Sequence, residues 1–220
     1  MSAGAFLAFA APLGWRALFA TWDHAWLELR RPPPAPVRRE LLAAWSERAR
    51  HYHDARHLRE CLAFYSLWQG QGERGAEVVL ALWFHDAVYE PGAADNELRS
   101  AAWAARVLGE SKAPSEAGQR VYDLVMATRH DAVARGIDAE ILVDIDLAIL
   151  GSPTARFADY EQDIRKEYAF VPEARYRAAR RAVLQRFLER AQIYKTLKAK
   201  ELLEAQARSN LQSALERLCQ

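Results

Sequence analysis

Cysteine is nearly missing from this chain: of 220 residues only Cys61 and Cys219 carry a thiol. That is too few for a disulfide framework or a thiolate-built zinc site, and it fits a reducing cytoplasm. Long hydrophobic runs are missing as well. The apolar stretch Ala5-Phe6-Leu7-Ala8-Phe9-Ala10-Ala11 is too short to span a bilayer, and none of the first fifteen residues is Lys or Arg, so the basic start of a secretory signal is absent. Residues 1–13 therefore read as a loose leader, or as sequence upstream of the real start. Neither sign of charge is in excess. With 30 basic and 29 acidic residues the formal net charge is +1, which argues against nucleic acid and anionic membrane as partners. Strand-type alternation and internal repeats do not occur. Nor does a Gly-rich phosphate loop, a Gly-x-Ser-x-Gly elbow or a His-Glu-x-x-His pair, which excludes Walker-type nucleotide binding, a serine-hydrolase elbow and a zinc protease.

What remains is an ordinary globular composition, 51% hydrophobic and 27% charged, long enough for one domain over residues 1–220 and short for two. Apolar residues recur at three- and four-residue spacing: Trp15, Leu18, Phe19, Trp22, Trp26 and Leu29 predict one helix. Pro32-Pro33-Pro34-Ala35-Pro36 then stops it, and a second helix starts near Val37 and runs towards Arg50. Further helices are expected over Tyr52 to Trp68, Gly75 to Tyr89, Ser100 to Leu108 with a start at Asp95-Asn96, Ser115 to Arg129, Asp138 to Leu150, Phe157 to Tyr168 and Tyr176 to Leu188. Residues 197–220 form a C-terminal helical extension, which either packs on the domain's own surface or pairs two copies in a homodimer. The fold class is all-α.

The chemistry is expected around Ala81-Leu82-Trp83-Phe84-His85-Asp86-Ala87-Val88-Tyr89. Two ionisable groups in an otherwise apolar segment cost several kcal/mol unless something compensates their desolvation, and a metal ion compensates both. Neighbouring helical residues point about 100° apart, so other elements must complete the site. His57 lies beside Leu58 and one turn before Cys61, on the packed face, and His53 shares that face. Asp144 and Asp146 stand two apart in Leu142-Val143-Asp144-Ile145-Asp146, so only one can face the site and the other is a surface, hydrogen-bonding or supporting residue. Glu97 either sits in a first helical turn as part of its start or returns over the metal as a proton donor or acceptor. Basic residues are dense between Arg165 and Lys200, a solvated face from which one or two could reach a phosphate.

The ordered set Tyr52-His53 with Arg56-His57-Leu58, Trp83-Phe84-His85-Asp86-Ala87-Val88-Tyr89, Asp95-Asn96-Glu97, Ala127-Thr128-Arg129-His130-Asp131 and Asp146-Leu147-Ala148-Ile149-Leu150-Gly151 resembles the bacterial branch of predicted metal-dependent HD-superfamily phosphohydrolases, over roughly Trp45 to Leu211. The resemblance implies an HD-domain-like helical bundle around a His/His-Asp/Asp site. It implies His57, His85, Asp86 and Asp146 as ligands of a divalent transition metal, and it selects Asp146 over Asp144. His130 and His53 are candidates for a second metal or for substrate. Glu97 and Arg129 are the candidate catalytic residues, with Arg56, Arg165 and Lys166 as further cations near a phosphoryl group. A mixed nitrogen and oxygen shell suits Mn, Fe, Co, Ni or Zn rather than calcium. The expected activity is hydrolysis of a small phosphate ester, such as a nucleotide. Two other readings stay open: an oxygenase or lyase in the same cage, and a regulatory module that keeps metal for stability alone.

Overall fold

A computed structural model describes residues 12–130 and 134–219; the apolar run from Ala5 to Ala11 and Asp131 lie outside the described residues. Among the described residues the chain is all-helical and contains no strand, and no helix is long and apolar enough to cross a membrane.

Helix α1 (Trp15–Glu28) buries Leu18, Trp22, Ala25 and Trp26; of the apolar row that its spacing announced, Phe19 and Leu29 are half-buried and Trp15 at the start of the helix is exposed. The buried side meets α4 (Gly75–Phe84), every residue of which from Ala76 to Phe84 is buried. Apart from Glu77, which pairs with Arg120 at 2.6 Å, such a helix is apolar all round because it has no solvent face. The Trp22 ring lies 5.2 Å from that of Trp83 and 6.1 Å from that of Phe84, and Trp83 Nε1 donates to Thr21 Oγ1 at 3.1 Å. Helix α2 (Ala35–Trp45) begins inside the proline cluster rather than after it, because a proline in a first turn gives up no helical hydrogen bond. It also stops earlier than its sequence suggests. Trp45 turns inward to donate Nε1 to the Trp83 carbonyl at 3.0 Å, and Arg50 lies in the following turn.

Helix α3 (Ala55–Tyr65) is started by Asp54, whose Oδ1 accepts from the amides of Arg56 at 2.8 Å and His57 at 3.3 Å. This start places His57 in the first turn and leaves His53 outside the helix, so the two do not share a helical face as expected. Replacing Asp54 by Ala should cost about 1 kcal/mol, the usual value of such a cap. Chemical denaturation checks this, and an unchanged midpoint would show that α3 is held by packing alone.

Helix α4 ends at Phe84, five residues before its predicted end. Helices α5 (Asn96–Glu110) and α6 (Ala117–Ala127) pack side by side, and α6 also covers α4. Helix α7 (Ile137–Asp146) passes into a tight turn over Leu147–Gly151, followed by α8 (Thr154–Glu167), α9 (Glu173–Leu188) and α10 (Leu197–Cys219). The last helix lies on the Leu147–Gly151 turn and on α9. A Cβ on Gly151 would stand 2.7 Å from Leu203 Cβ and 2.9 Å from the Leu203 carbonyl oxygen, so the absence of a side chain is what lets α10 approach. Asn210 Nδ2 then donates to the carbonyls of Leu150 at 2.9 Å and Ser152 at 2.8 Å. Of the two roles expected for this extension, packing on its own domain is present.

Candidate metal centre

Four backbone segments deliver side chains to one point. From α3 comes His57; from the C-terminal end of α4 comes His85, still in helical conformation, with Asp86 in the turn beyond; from the last position of α7 comes Asp146; and just past α6 comes His130. Because α4 stops at Phe84, His85 and Asp86 escape the divergence of neighbours on a helix: His85 Nε2 and Asp86 Oδ2 lie 3.2 Å apart. His57 Nε2 is 3.1 Å from His85 Nε2, 3.3 Å from Asp146 Oδ1 and 3.7 Å from Asp86 Oδ2. His85 Nε2 is 3.5 Å from Asp146 Oδ1. Donors bound to one ion at about 2.1 Å sit about 3.0 Å apart along an octahedral edge, so this spacing fits a single divalent cation. His85 Nδ1 faces the Leu82 carbonyl at 2.8 Å. It therefore carries the proton, and Nε2 turns its lone pair to the centre, the arrangement usual for a metal-bound imidazole.

Charge agrees with geometry. Burial opposes a proton on His85, but Asp86 and Asp146 outweigh it and hold its pKa well above the usual value. Burial would raise the two carboxylates, yet Asp86 is held far below its ordinary range by His85, and Asp146 by hydrogen bonds to His130, His57 and His85. A positive charge at this point, whether a proton on His85 or a metal ion in its place, is what the two carboxylates call for. The imidazoles of His57 and His85 are only 3% and 1% exposed, whereas Asp86 and Asp146 are 15% and 14% exposed. The carboxylates thus mark the open side.

His130 has a positive φ of 56° and sets its Nε2 2.9 Å from Asp146 Oδ2, the oxygen not turned to His57 and His85. In this arrangement it orients Asp146. Glu97 sits half-buried in the first turn of α5, where one of its expected roles placed it, and among the described residues no hydrogen bond or ion pair joins it to the cluster. Arg129 is exposed immediately before His130. Three other expected cations are engaged elsewhere: Arg56 with Glu60 at 2.9 Å, Arg165 with Glu173 at 2.9 Å and Lys166 with Asp163 at 2.7 Å.

Three residues escaped the sequence reading. Cys61 Sγ lies 3.6 Å from His57 Nδ1, and His57, Cys61, His85 and Asp146 form a group able to hold a metal ion, with ligand atoms within 4.8 Å of one another. Burial pushes the Cys61 thiol well up, which favours it as a neutral neighbour of His57. Its position one turn after His57 was the available signal. Arg50, buried, donates to the carbonyls of Asp86, at 2.5 Å, and Ala87, at 3.0 Å, and so holds the turn that presents Asp86. Glu167, at the end of α8, accepts at Oε1 from the amides of His51, Tyr52 and His53 at 2.8, 2.8 and 2.9 Å. Nothing in the local sequence marks either pairing, since each spans a long stretch of chain.

The Glu167 carboxyl is pushed down from 4.5 to about 2: burial works against this, and the hydrogen bonds from His53 and the backbone amides overcome it. A depressed folded-state pKa contributes stability that is present above pH 4.5 and is lost as the pH falls towards 2. The unfolding free energy should drop by about 3 kcal/mol across that window, and Glu167→Gln should flatten the acid limb. Denaturation curves at stepped pH decide it, and an acid limb identical in both proteins would show that other carboxyls control it.

Among the described residues, fold and site together define an all-helical protein with a His/Cys/His/Asp group able to hold a metal ion. No protein-family model, no curated protein and no solved structure matches the chain.

Proposed function

We propose that this chain is a metal-dependent phosphohydrolase of the HD superfamily, acting on a small phosphate ester such as a nucleotide. The observation that supports this reading is the convergence of His57, His85, Asp86 and Asp146 from three separate elements, in the order His, His-Asp, Asp, at the mutual spacing of ligands on one ion. When bound, a divalent ion such as Mn, Fe, Co, Ni or Zn supplies Lewis acidity towards a phosphoryl oxygen and lowers the pKa of a coordinated water. The chain's own groups do the rest. Leu82 stands behind the His85 imidazole and sets its orientation, Cys61 lies beside the His57 ring, 3.6 Å from Nδ1 and 3.7 Å from Nε2, His130 fixes Asp146, and Arg50 fixes the turn at Asp86. The exposed edge at Asp86 and Asp146 admits the ester. Arg129, next to His130 in the chain, steadies charge on the phosphoryl oxygens.

The test is to load the purified protein with Mn2+, Fe2+, Co2+, Ni2+ and Zn2+ in turn, measure bound metal, and follow phosphate release from a panel of nucleotides. Release by at least one metal form is expected. Stoichiometric metal with no release from any ester would replace this reading with that of a metal-stabilised helical module.

A further inference from the structure

Beside the metal-ligand cluster stands a second built constellation that the ligand set does not use. Glu167, whose side chain is 0% exposed, ties the loop before α3 to the loop after the His85-Asp86 turn. Its Oε1 takes three successive backbone amides, and its Oε2 takes His53 Nδ1 at 2.7 Å and the Tyr89 hydroxyl at 2.9 Å. Tyr89 in turn stacks on the His53 ring, centroids 4.1 Å apart and planes 26° from parallel. A histidine clamped at one nitrogen and along one face has few orientations left. The remaining polar atom is Nε2, on a side chain that is 21% exposed and close enough to Asp86 and Asp146 for both to act on its charge. The His53 and His57 rings are 6.1 Å apart, centroid to centroid. A packing role alone does not call for a buried carboxylate with five donors, one of them a half-buried imidazole.

We propose that His53 is a catalytic residue that contacts the substrate's phosphate through Nε2, and that Glu167, with Tyr89 stacked behind, is the positioning residue that aims it. This rests on the phosphohydrolase reading and adds the group that recognises the anion next to the ion. A carboxylate on Nδ1 favours the imidazolium form, which donates from Nε2 as well, and charge-assisted hydrogen bonds of this kind suit phosphate oxygens. No metal role is left for His53, since Glu167 occupies one nitrogen and substrate the other.

The probe is inorganic phosphate, titrated into the Mn2+-loaded protein and followed by 31P line broadening, with Mn2+ affinity measured separately by electron paramagnetic resonance. His53→Gln should bind Mn2+ as the native protein does and lose about 10- to 100-fold in phosphate affinity, the range of a charge-assisted hydrogen bond. Glu167→Gln leaves His53 in place and tests the same contact from behind: phosphate affinity should fall about 10-fold with Mn2+ retained. Equal phosphate affinity in native protein and His53→Gln overturns the proposal while the metal centre stands. Loss of Mn2+ in His53→Gln also overturns it, and makes His53 a ligand. Native protein that binds none of Mn2+, Fe2+, Co2+, Ni2+ and Zn2+ overturns the phosphohydrolase reading and this proposal with it.

Discussion

Purified His85→Ala protein, loaded with Mn2+ or Zn2+ and desalted, is expected to retain almost no metal, with affinity lowered by more than about 100-fold, the upper end of what losing a mere supporting partner costs. His85 is the least exposed member of the cluster and lies 3.1 to 3.5 Å from a donor atom of each of His57, Asp86 and Asp146. Its removal leaves two carboxylates facing one imidazole and an apolar gap lined by Trp45, whose ring centroid is 5.4 Å away. Phosphate release should fall with metal content. The fold should survive, because the wall behind His85 is the apolar length of α4 and not the ion. Elemental analysis beside circular dichroism separates the two effects. Native-like metal retention by a folded His85→Ala protein would remove His85 from the ligand set.

Asp144→Ala should be the most damaging single substitution for stability. The Asp144 carboxylate is fully buried and accepts from the amides of Lys195 and Thr196 and from the Thr196 hydroxyl, each at 2.7 Å. It anchors the segment that leads into α10. Burial raises its pKa, and those hydrogen bonds only partly offset the rise. Alanine strands two buried or half-buried amides and a hydroxyl, at about 1–3 kcal/mol each, for a total on the order of 3–9 kcal/mol. In a domain of this size the Tm should fall by about 10 °C or more. Metal retention at low temperature should be unchanged, because Asp144 points away from the cluster. A Tm within about 2 °C of native would mean that α10 docks without this anchor.

The two aspartates illustrate what pattern can and cannot decide. Spacing alone shows that Asp144 and Asp146 leave α7 on opposite sides, and that one of them supports while the other faces a site. Of the three supporting roles open to Asp144, the structure gives it buried hydrogen bonding rather than a surface position. His85 and Asp86 show the opposite limit. Helical periodicity predicts that their side chains diverge, whereas α4 ends one residue earlier and the turn swings Asp86 back to within 3.2 Å of His85. The reason lies 36 residues upstream, where Arg50 takes the Asp86 carbonyl.

The amino-acid sequence by itself determined the helical class, the buried apolar face of α1, the central place of α4 and the kinds of donor available for a metal. These follow from residues within a few turns of one another, where periodicity, capping and proline act locally. Tertiary structure alone decided that His57, His85, Asp86 and Asp146 meet, that His130 reaches Asp146, that Cys61 lies beside His57, and that Glu167 holds His53 and Tyr89 from 114 and 78 residues away. Those pairings depend on how whole helices cross, which is set by the summed packing of α1, α3, α4 and α7 and leaves no periodic trace around any one of the residues it brings together.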